Sequence, residues 1–166
     1  MTLDRASPWL PPPAGWTKLN VDGGLTSPTS MRNGGILRDE NGFWITGFSC
    51  REGHGDSFLV ELSATFRGLN LAWSKGFRKV ICELDYLDVV EALNNRHVVH
   101  LHQHASQIMD VWEILHQSWE VVISHVPRTQ NQVADRLAIL ALDNKDMNPV
   151  MYYSPPLQIL EIEIIE

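Results

Sequence analysis

The chain has 166 residues, which is enough for one domain with a real core but too few for two. Its net charge of -7 argues against a protein that grips nucleic acid by charge alone, but not against an enzyme whose carboxylates hold cations. The lack of a signal-peptide pattern or long apolar run predicts an intracellular protein in the nucleus, cytoplasm or an organelle. Two cysteines, Cys50 and Cys82, exclude a disulfide framework and a four-cysteine zinc site and predict buried free thiols.

A proline-rich lead-in opens the chain and cannot be helical. We expect Trp9 and Trp16 to pin it to the domain, although a proline-rich ligand for a partner domain is the alternative. The predicted organisation is a lead-in over 1–16, one domain over 17–146 and a tail over 147–166.

The first predicted strand is the alternating stretch Lys18 to Gly24. Asp22 falls on its polar face, where it would face a cleft. Gly23 and Gly24 have no Cβ, so we expect a bulky ligand to be able to approach the backbone beside that carboxylate.

Two more strands are predicted, at Gly34 to Arg38 and at Phe43 to Cys50, after a polar loop over 25–33. Asn41 and Gly42 between them are typical of a hairpin. The first three strands should therefore form an antiparallel meander.

A long helix should begin at Ser57 as N-cap and end at Lys75 and Gly76, with Glu61 in its first turn. The next strand, over 79–84, should lie parallel to the first strand through a right-handed crossover. Asp85 then emerges at the carboxyl end of this strand, where open α/β sheets place their ligands.

Four histidines follow in one connection, and they invite a metal interpretation. Their spacing fits no zinc site, and no cysteine or carboxylate is interleaved. A surface connection that gains charge near pH 6 is the favoured interpretation. These residues are His97, His100, His102 and His104.

The last strand, over 120–126, leads to a turn and to a helix that Asn131 should cap, with Asp135 in its first turn. Asp135 should thus reach the same edge of the sheet as the three earlier carboxylates. In the tail, Leu160 and Ile162 alternate with glutamates, which predicts a strand added to a sheet edge of this chain or a partner; disorder is equally compatible.

The order and spacing of several short pieces resemble ribonuclease H of type 1, and more narrowly the plant ribonuclease H-like domains related to retrotransposon reverse transcriptases. The likeness covers residues 9–142. It implies an α/β fold with a five-stranded mixed sheet, strands 1 to 3 antiparallel and strands 4 and 5 parallel, and helices on both faces. The matching pieces include Trp9 with Pro11 to Pro13, Lys18 to Gly23, Glu61-Leu62, Glu83 to Asp85, His125 to Arg128 and Ala134-Asp135.

The resemblance implies a Mg²⁺-dependent endoribonuclease that cleaves the RNA strand of RNA/DNA hybrids with two ions, for which Mn²⁺ can substitute. It implies that Asp22 bridges both ions, that Asp135 holds one of them and that Glu61 with Asp85 holds the other. His125 is expected to help catalysis.

Nucleic-acid binding is expected to be weak and salt-sensitive, because the basic handle of some relatives is missing here. Tyr86 stands where many relatives have Ser or Thr, and the loop before the last carboxylate is short. The expected nucleic-acid contacts are Gly23, Gly24, Arg128, Asn131, Lys75, Arg78 and Lys79.

Two other functions remain open at this point. One is a domesticated, non-catalytic module that binds nucleic acid or a protein partner, with the C-terminal strand as the place for a partner or for self-association. The other is an exonuclease with four acids, which the order of the motifs disfavours.

Overall fold

Residues 8–95 and 102–165 are described by the structure, a computed structural model. The alternating stretches form strands and the stretches with a three-to-four repeat form helices, as expected. In chain order the elements are β1 (Thr17–Thr26), β2 (Ser30–Arg38), β3 (Trp44–His54), α1 (Ser57–Ser74), β4 (Lys79–Leu84), α2 (Leu87–Asn94), α3 (Ala105–Leu115), β5 (Glu120–His125), α4 (Gln132–Leu140), β6 (Val150–Tyr152) and α5 (Leu157–Ile165).

The strands form one mixed sheet in the order β5-β4-β1-β2-β3-β6. Strands β1 to β3 form the predicted antiparallel meander, and β4 and β5 add in parallel beside β1. The sheet therefore has six strands rather than the five expected. The extra strand β6 pairs with β3, and three residues are too few to show a periodic pattern in the sequence.

The end of the tail is a helix, so the strand predicted there is wrong, and association through such a strand loses its basis. Ile159 is fully buried in a cluster with Val133 and Leu137 of α4, and Ile162 packs against it. Residues three apart share a face of a helix, so packing on α4 accounts for the helical form of an alternating sequence.

Helices cover both faces of the sheet, as predicted. The main core joins one face of β1, β2, β4 and β5 to α1, α2 and α3, while the smaller core joins the other face to α4 and α5. Gly68 lets α1 lie directly on the sheet, because a Cβ there would be 2.7 Å from a methyl carbon of Val21.

Three local expectations need correction. β1 and β2 pair as far as Thr26 and Ser30, so much of the predicted polar loop is strand, since backbone pairing tolerates polar side chains. The N-cap of α1 is Asp56, whose carboxylate accepts from the Leu59 N–H at 2.8 Å. Glu61 consequently lies in the second turn of α1.

Other expectations hold. Trp9 is buried, as a residue that pins the lead-in should be, and Trp16 is half-buried. Cys50 and Cys82 are buried free thiols, and burial raises the pKa of both. Within the described residues, no helix has the length and apolar character needed to cross a membrane.

Candidate active site

Four carboxylates from four elements meet at one edge of the sheet. Oxygen atoms of Asp22, Glu61 and Asp85 all lie within 4.8 Å of one another. The carboxyl of Asp135, in the first turn of α4, also interacts with that of Asp22 and raises its pKa. Asp22 is thus the common neighbour of the other three acids.

Two glycines allow elements from opposite faces of the sheet to bring their acids together. A Cβ on Gly23 would lie 2.8 Å from the carbonyl oxygen of Val60, next to Glu61, so this glycine admits α1. A Cβ on Gly34, which pairs with Asp22 across the strands, would lie 2.4 Å from the Ala138 nitrogen, so this glycine admits α4. The role of Gly34 was not predicted, because a glycine within a strand reads only as a weak strand former.

The same distances explain the two glycines after Asp22. The space beside Gly23 is filled by α1, and a Cβ on Gly24 would lie 2.7 Å from the Arg32 guanidinium. Packing within the chain therefore accounts for both missing side chains, and contact of either residue with nucleic acid stays a prediction.

Asp22 is the most strongly perturbed acid of the cluster. Burial, followed by the charges of Glu61 and Asp85, raises its pKa to about 11, and only 5% of the residue is exposed. The Asp22 carboxyl therefore carries a proton at neutral pH unless a cation replaces it.

Glu61 and Asp85 respond in the same direction. Burial, followed by the charge of Asp85, raises the pKa of Glu61 to about 8, while hydrogen bonds from Asp22 and from the Gly23 N–H act against this shift. Burial also raises the pKa of Asp85, and the Arg128 guanidinium opposes that shift. Glu61 Oε2 is buried and has no hydrogen-bond partner among the described residues.

This donor set fits a divalent cation. Carboxylate oxygens are the hard ligands that Mg²⁺ prefers, and like-charged acids at such distances repel one another without a cation. A bound cation would give Glu61 Oε2 the partner it lacks and would favour the ionised form of each acid.

A small pocket of about 170 Å³ opens beside Asp85 and Asp135, and Arg128, Thr129 and Gln132 complete its lining. The side chain of Arg128 is 87% exposed, with its Nε 3.9 Å from Asp85 Oδ2. Thr129 and Gln132 were not predicted, since an isolated polar residue in a turn carries no sequence signal.

His125 lies at the end of β5, where its exposed ring places Nε2 3.3 Å from the backbone oxygen of Asp85. Asn131 is fully buried, and its Nδ2 donates to the Val21 carbonyl oxygen at 2.9 Å. The prediction of Asn131 as a nucleic-acid contact is therefore wrong, because its amide is used inside the protein.

Comparison with known proteins decides the family. Residues 20–141 match the family model described as Reverse transcriptase-like. The chain belongs to this family. A relative from Arabidopsis thaliana, whose name places it among the ribonuclease H proteins, is 33% identical over 137 residues. That match covers 82% of this chain and 22% of the relative, so the chain spans about a fifth of the relative's length.

Solved structures share the fold of this ribonuclease H-like domain. RNase H1 from the halophilic archaeon Halobacterium salinarum superposes with a TM-score of 0.69 at 23% identity, covering 77% of this chain and 98% of that one. LC11-RNase H1, solved in complex with an RNA/DNA hybrid, gives 0.70 at 21% identity over 76% and 96%. A foamy viral protease-reverse transcriptase in complex with an RNA/DNA hybrid gives 0.64 at 16% identity over 85% and 22%.

Three cations predicted to contact nucleic acid lie elsewhere in the ribonuclease H-like domain. Lys79 begins β4, and Asp85 follows its end about 20 Å away at the usual rise per residue. Lys75 lies 5.3 Å from the ring centre of Tyr153, and Arg78 stacks on Trp73 at 3.5 Å. The structure does not bring these three to the carboxylate edge, and their contact with nucleic acid stays a prediction.

Of the four histidines, His97 and His100 lie outside the described residues. His104 Nε2 lies 2.8 Å from Asp56 Oδ2, and this hydrogen bond holds the pKa of Asp56 below its usual value. The ring of His102 packs at a tilt against that of Phe58, with ring centres 4.4 Å apart. Phe58 also meets the edge of Tyr86, so Tyr86 is held at the rim beside Asp85.

Proposed function

We propose that this ribonuclease H-like domain is a Mg²⁺-dependent endoribonuclease that cleaves the RNA strand of RNA/DNA hybrids. The observation that carries the proposal is the convergence of Asp22, Glu61, Asp85 and Asp135, three of them with raised pKa values. A buried cluster of acids with an unpartnered oxygen is costly for a fold to keep unless it binds a cation.

Asp22 would hold both ions, because it contacts every other acid of the cluster. Glu61 and Asp85 would complete one site, and Asp135 would complete the other. Bound Mg²⁺, or Mn²⁺ in its place, supplies a Lewis acid that favours ionisation of a bound water to hydroxide at neutral pH and stabilises the leaving oxygen. The resemblance to ribonuclease H also implies that Glu61 would approach the 2′-hydroxyl that distinguishes RNA from DNA.

Arg128 and His125 would act at the rim of the site. The guanidinium of Arg128 is exposed and tethered to Asp85 only at 3.9 Å, so it is free to swing toward a phosphate of the substrate strand. His125 keeps an exposed ring beside Asp85, where it could exchange a proton with water or with the departing product.

Substrate binding should be weak and should fall steeply with salt. The chain carries a net charge of -7, and the acids at the site repel phosphate until cations are bound. RNA/DNA hybrids are bound by two structural neighbours, LC11-RNase H1 and the foamy viral enzyme, which supports this class of ligand.

A non-catalytic nucleic-acid-binding module is the second candidate. Tyr86, packed edge-on against Phe58, favours it because a bulky phenol occupies the rim of the site next to Asp85. In that case the acids would bind cations without cleavage.

A cleavage assay separates the two candidates. The protein is incubated with a hybrid labelled on its RNA strand, with Mg²⁺ or Mn²⁺, beside Asp22→Asn and beside Asp110→Asn, which removes an exposed acid on α3. We expect cleavage by the wild type and by Asp110→Asn, and a loss in Asp22→Asn greater than the roughly 10–100-fold typical for an outer partner of a metal ligand. Binding of the hybrid without cleavage by the wild type would favour the module, and equal cleavage by Asp22→Asn would overturn the proposed site.

A further inference from the structure

A second buried polar cluster lies on the same face of β1 as Asp22, and it centres on Asn20. Asn20 is fully buried, and its Nδ2 donates to Glu83 Oε1 at 3.1 Å and to Asn131 Oδ1 at 3.0 Å. Its Oδ1 accepts from Trp9 Nε1 at 3.0 Å and from the Arg38 guanidinium at 3.3 Å. Donors on one side and acceptors on the other leave this carboxamide a single orientation.

Three of the elements that reach this cluster, β1, β4 and α4, also carry one of the acids, one structural repeat further on. The spacing is two residues along a strand and four along a helix, and both spacings return a side chain to the same face. The pairs are Asn20 and Asp22 on β1, Glu83 and Asp85 along and after β4, and Asn131 and Asp135 at the start of α4.

Asn131 adds a direct link to the acid site. Its Nδ2 donates to the carbonyl oxygen of Val21, the residue before Asp22, at 2.9 Å. Asn20 therefore joins β1, β4 and the start of α4 at one point, and Asn131 fixes the backbone from which Asp22 projects.

The lead-in covers one side of the cluster around Asn20. The ring centre of Trp9 lies 3.7 Å from the Arg38 guanidinium, which it covers while its N–H bonds to Asn20. Lys18 Nζ donates to the Leu10 carbonyl oxygen at 2.6 Å and lies 3.2 Å from Glu83 Oε2. The proline-rich lead-in is therefore part of the packing around Asn20.

We propose that Asn20 is a positioning residue for the acid site, and that Trp9 of the lead-in fixes Asn20 in its working orientation. This inference rests on the proposed function. Groups that hold metal ligands in place typically change metal affinity or activity by about 10–100-fold when they are removed. Without the Asn20 side chain, β4 and the start of α4 would no longer be hydrogen-bonded to β1 at one point. The distances between Asp22, Asp85 and Asp135 would then be less well fixed.

Mn²⁺ affinity, measured by calorimetry on the full chain, tests the inference without relying on activity. Asn20→Ala should bind Mn²⁺ about tenfold more weakly than the wild type. Trp9→Phe keeps a ring over Arg38 and removes only the N–H to Asn20, so it should fold and should show a weaker loss in the same direction. With Mn²⁺ saturating and the hybrid concentration varied, kcat should fall in Trp9→Phe while KM for the hybrid stays unchanged.

The chain offers a matched control for each variant. Trp119→Phe removes an indole N–H bond of 2.9 Å, to the Ile114 carbonyl oxygen, just before the start of β5. Asn33→Ala removes a fully buried strand amide that bonds to Glu52 at 3.0 Å instead. Neither control should change Mn²⁺ affinity, although each should lower the melting temperature.

The outcomes separate this inference from the proposed function. Wild-type affinity in both Asn20→Ala and Trp9→Phe, or an equal loss in the controls, overturns the positioning role. If Mn²⁺ binding is lost in Asp22→Asn but kept in the two positioning variants, the metal site stands and only this inference fails. If the wild type binds no Mn²⁺, the proposed metal site fails and this inference fails with it.

Discussion

Two buried polar clusters lie side by side on one face of the sheet, and they are built in opposite ways. Around Asn20, each amide or indole donor meets an acceptor, Lys18 pairs with the carboxylate of Glu83, and the Arg38 guanidinium donates to Asn20. Around Asp22, acids face acids, and Glu61 Oε2 has no partner among the described residues.

The difference teaches which cluster serves the fold and which serves a ligand. A buried polar group with a partner costs little, whereas a buried acid beside other acids destabilises the fold until it is protonated or binds a cation. The Asn20 cluster should stabilise the protein, and the Asp22 cluster should destabilise the metal-free protein. Mutations in the two clusters should therefore change stability in opposite directions.

Asn20→Ala should show the largest effect. It leaves buried polar groups of Trp9, Glu83 and Asn131 without their hydrogen-bond partner. Unpaired buried groups cost about 1–3 kcal/mol each, so we expect the free energy of unfolding to fall by about 3 kcal/mol. Thermal unfolding of the metal-free protein at pH 7 should show a midpoint lower by roughly 6–12 °C. A shift of less than about 1 °C would mean that the network adds nothing to stability.

Asp22→Asn should act in the opposite direction. The pKa of Asp22 is raised to about 11, so folding at pH 7 requires this acid to take up a proton, and a neutral amide removes that requirement. We expect the metal-free variant to gain about 2 kcal/mol, or roughly 4–8 °C in melting temperature. The exposed Asp110→Asn should stay within about 0.5 kcal/mol of the wild type. A lower melting temperature for Asp22→Asn would contradict the idea that the acid cluster destabilises the fold.

The acid cluster should also make stability depend on pH. Glu61 and Asp22 have folded pKa values of about 8 and about 11, above their ordinary values of 4.5 and 3.8, so the folded protein binds more protons than the unfolded chain. Their contribution is present in full below about pH 4 and is lost as pH rises through 8 toward 11.

Chemical denaturation of the metal-free protein from pH 5 to pH 9 measures this slope. The free energy of unfolding of the wild type should fall with rising pH more steeply than that of Asp22→Asn. Saturating Mg²⁺ should reverse the trend, because the ions bind the deprotonated acids. If the free energy of unfolding depends on pH with the same slope in both metal-free proteins, the acid cluster does not destabilise the fold in the way proposed.

The rim of the site should give the smallest effect on stability. Arg128→Gln removes an exposed cation 3.9 Å from Asp85, so its effect on unfolding should stay below about 1 kcal/mol. KM for the hybrid should rise a few-fold and its salt dependence should weaken, because one phosphate contact is lost. Lys79→Gln removes an exposed cation at the far end of β4. An equal rise in KM for this variant would show that the effect of Arg128 does not depend on its location beside the acids.

Much of the site could be predicted because its acids mark the ends of regular elements. Asp22 follows an alternating strand, Asp85 follows a second strand, and Asp135 lies in the first turn of a helix after a capping residue. The sheet order of the first five strands also follows from the meander and the right-handed crossover. In contrast, Glu61 lies one residue further into α1 than predicted, in its second turn, since the cap is Asp56 and not Ser57.

Other features could not be predicted, because they depend on distances between distant parts of the chain. Gly23 and Gly34 each look like a turn or a weak strand residue, yet each admits a helix to the site. The alternating tail reads as a strand, but Ile159 packs on α4 and the segment is helical. Asn131 reads as a polar residue open to a ligand, but it is fully buried.

The sequence by itself determined the elements up to α4, their approximate bounds and the identity of the four acids, because periodicity and capping are local properties of the chain. Only the tertiary structure decided that Asp22 contacts all three other acids and that the lead-in supports the site through Trp9 and Asn20. The reason is that pKa shifts, burial and hydrogen-bond partners depend on which residues meet in space, and residues 9, 20 and 131 meet only once the sheet and α4 have formed.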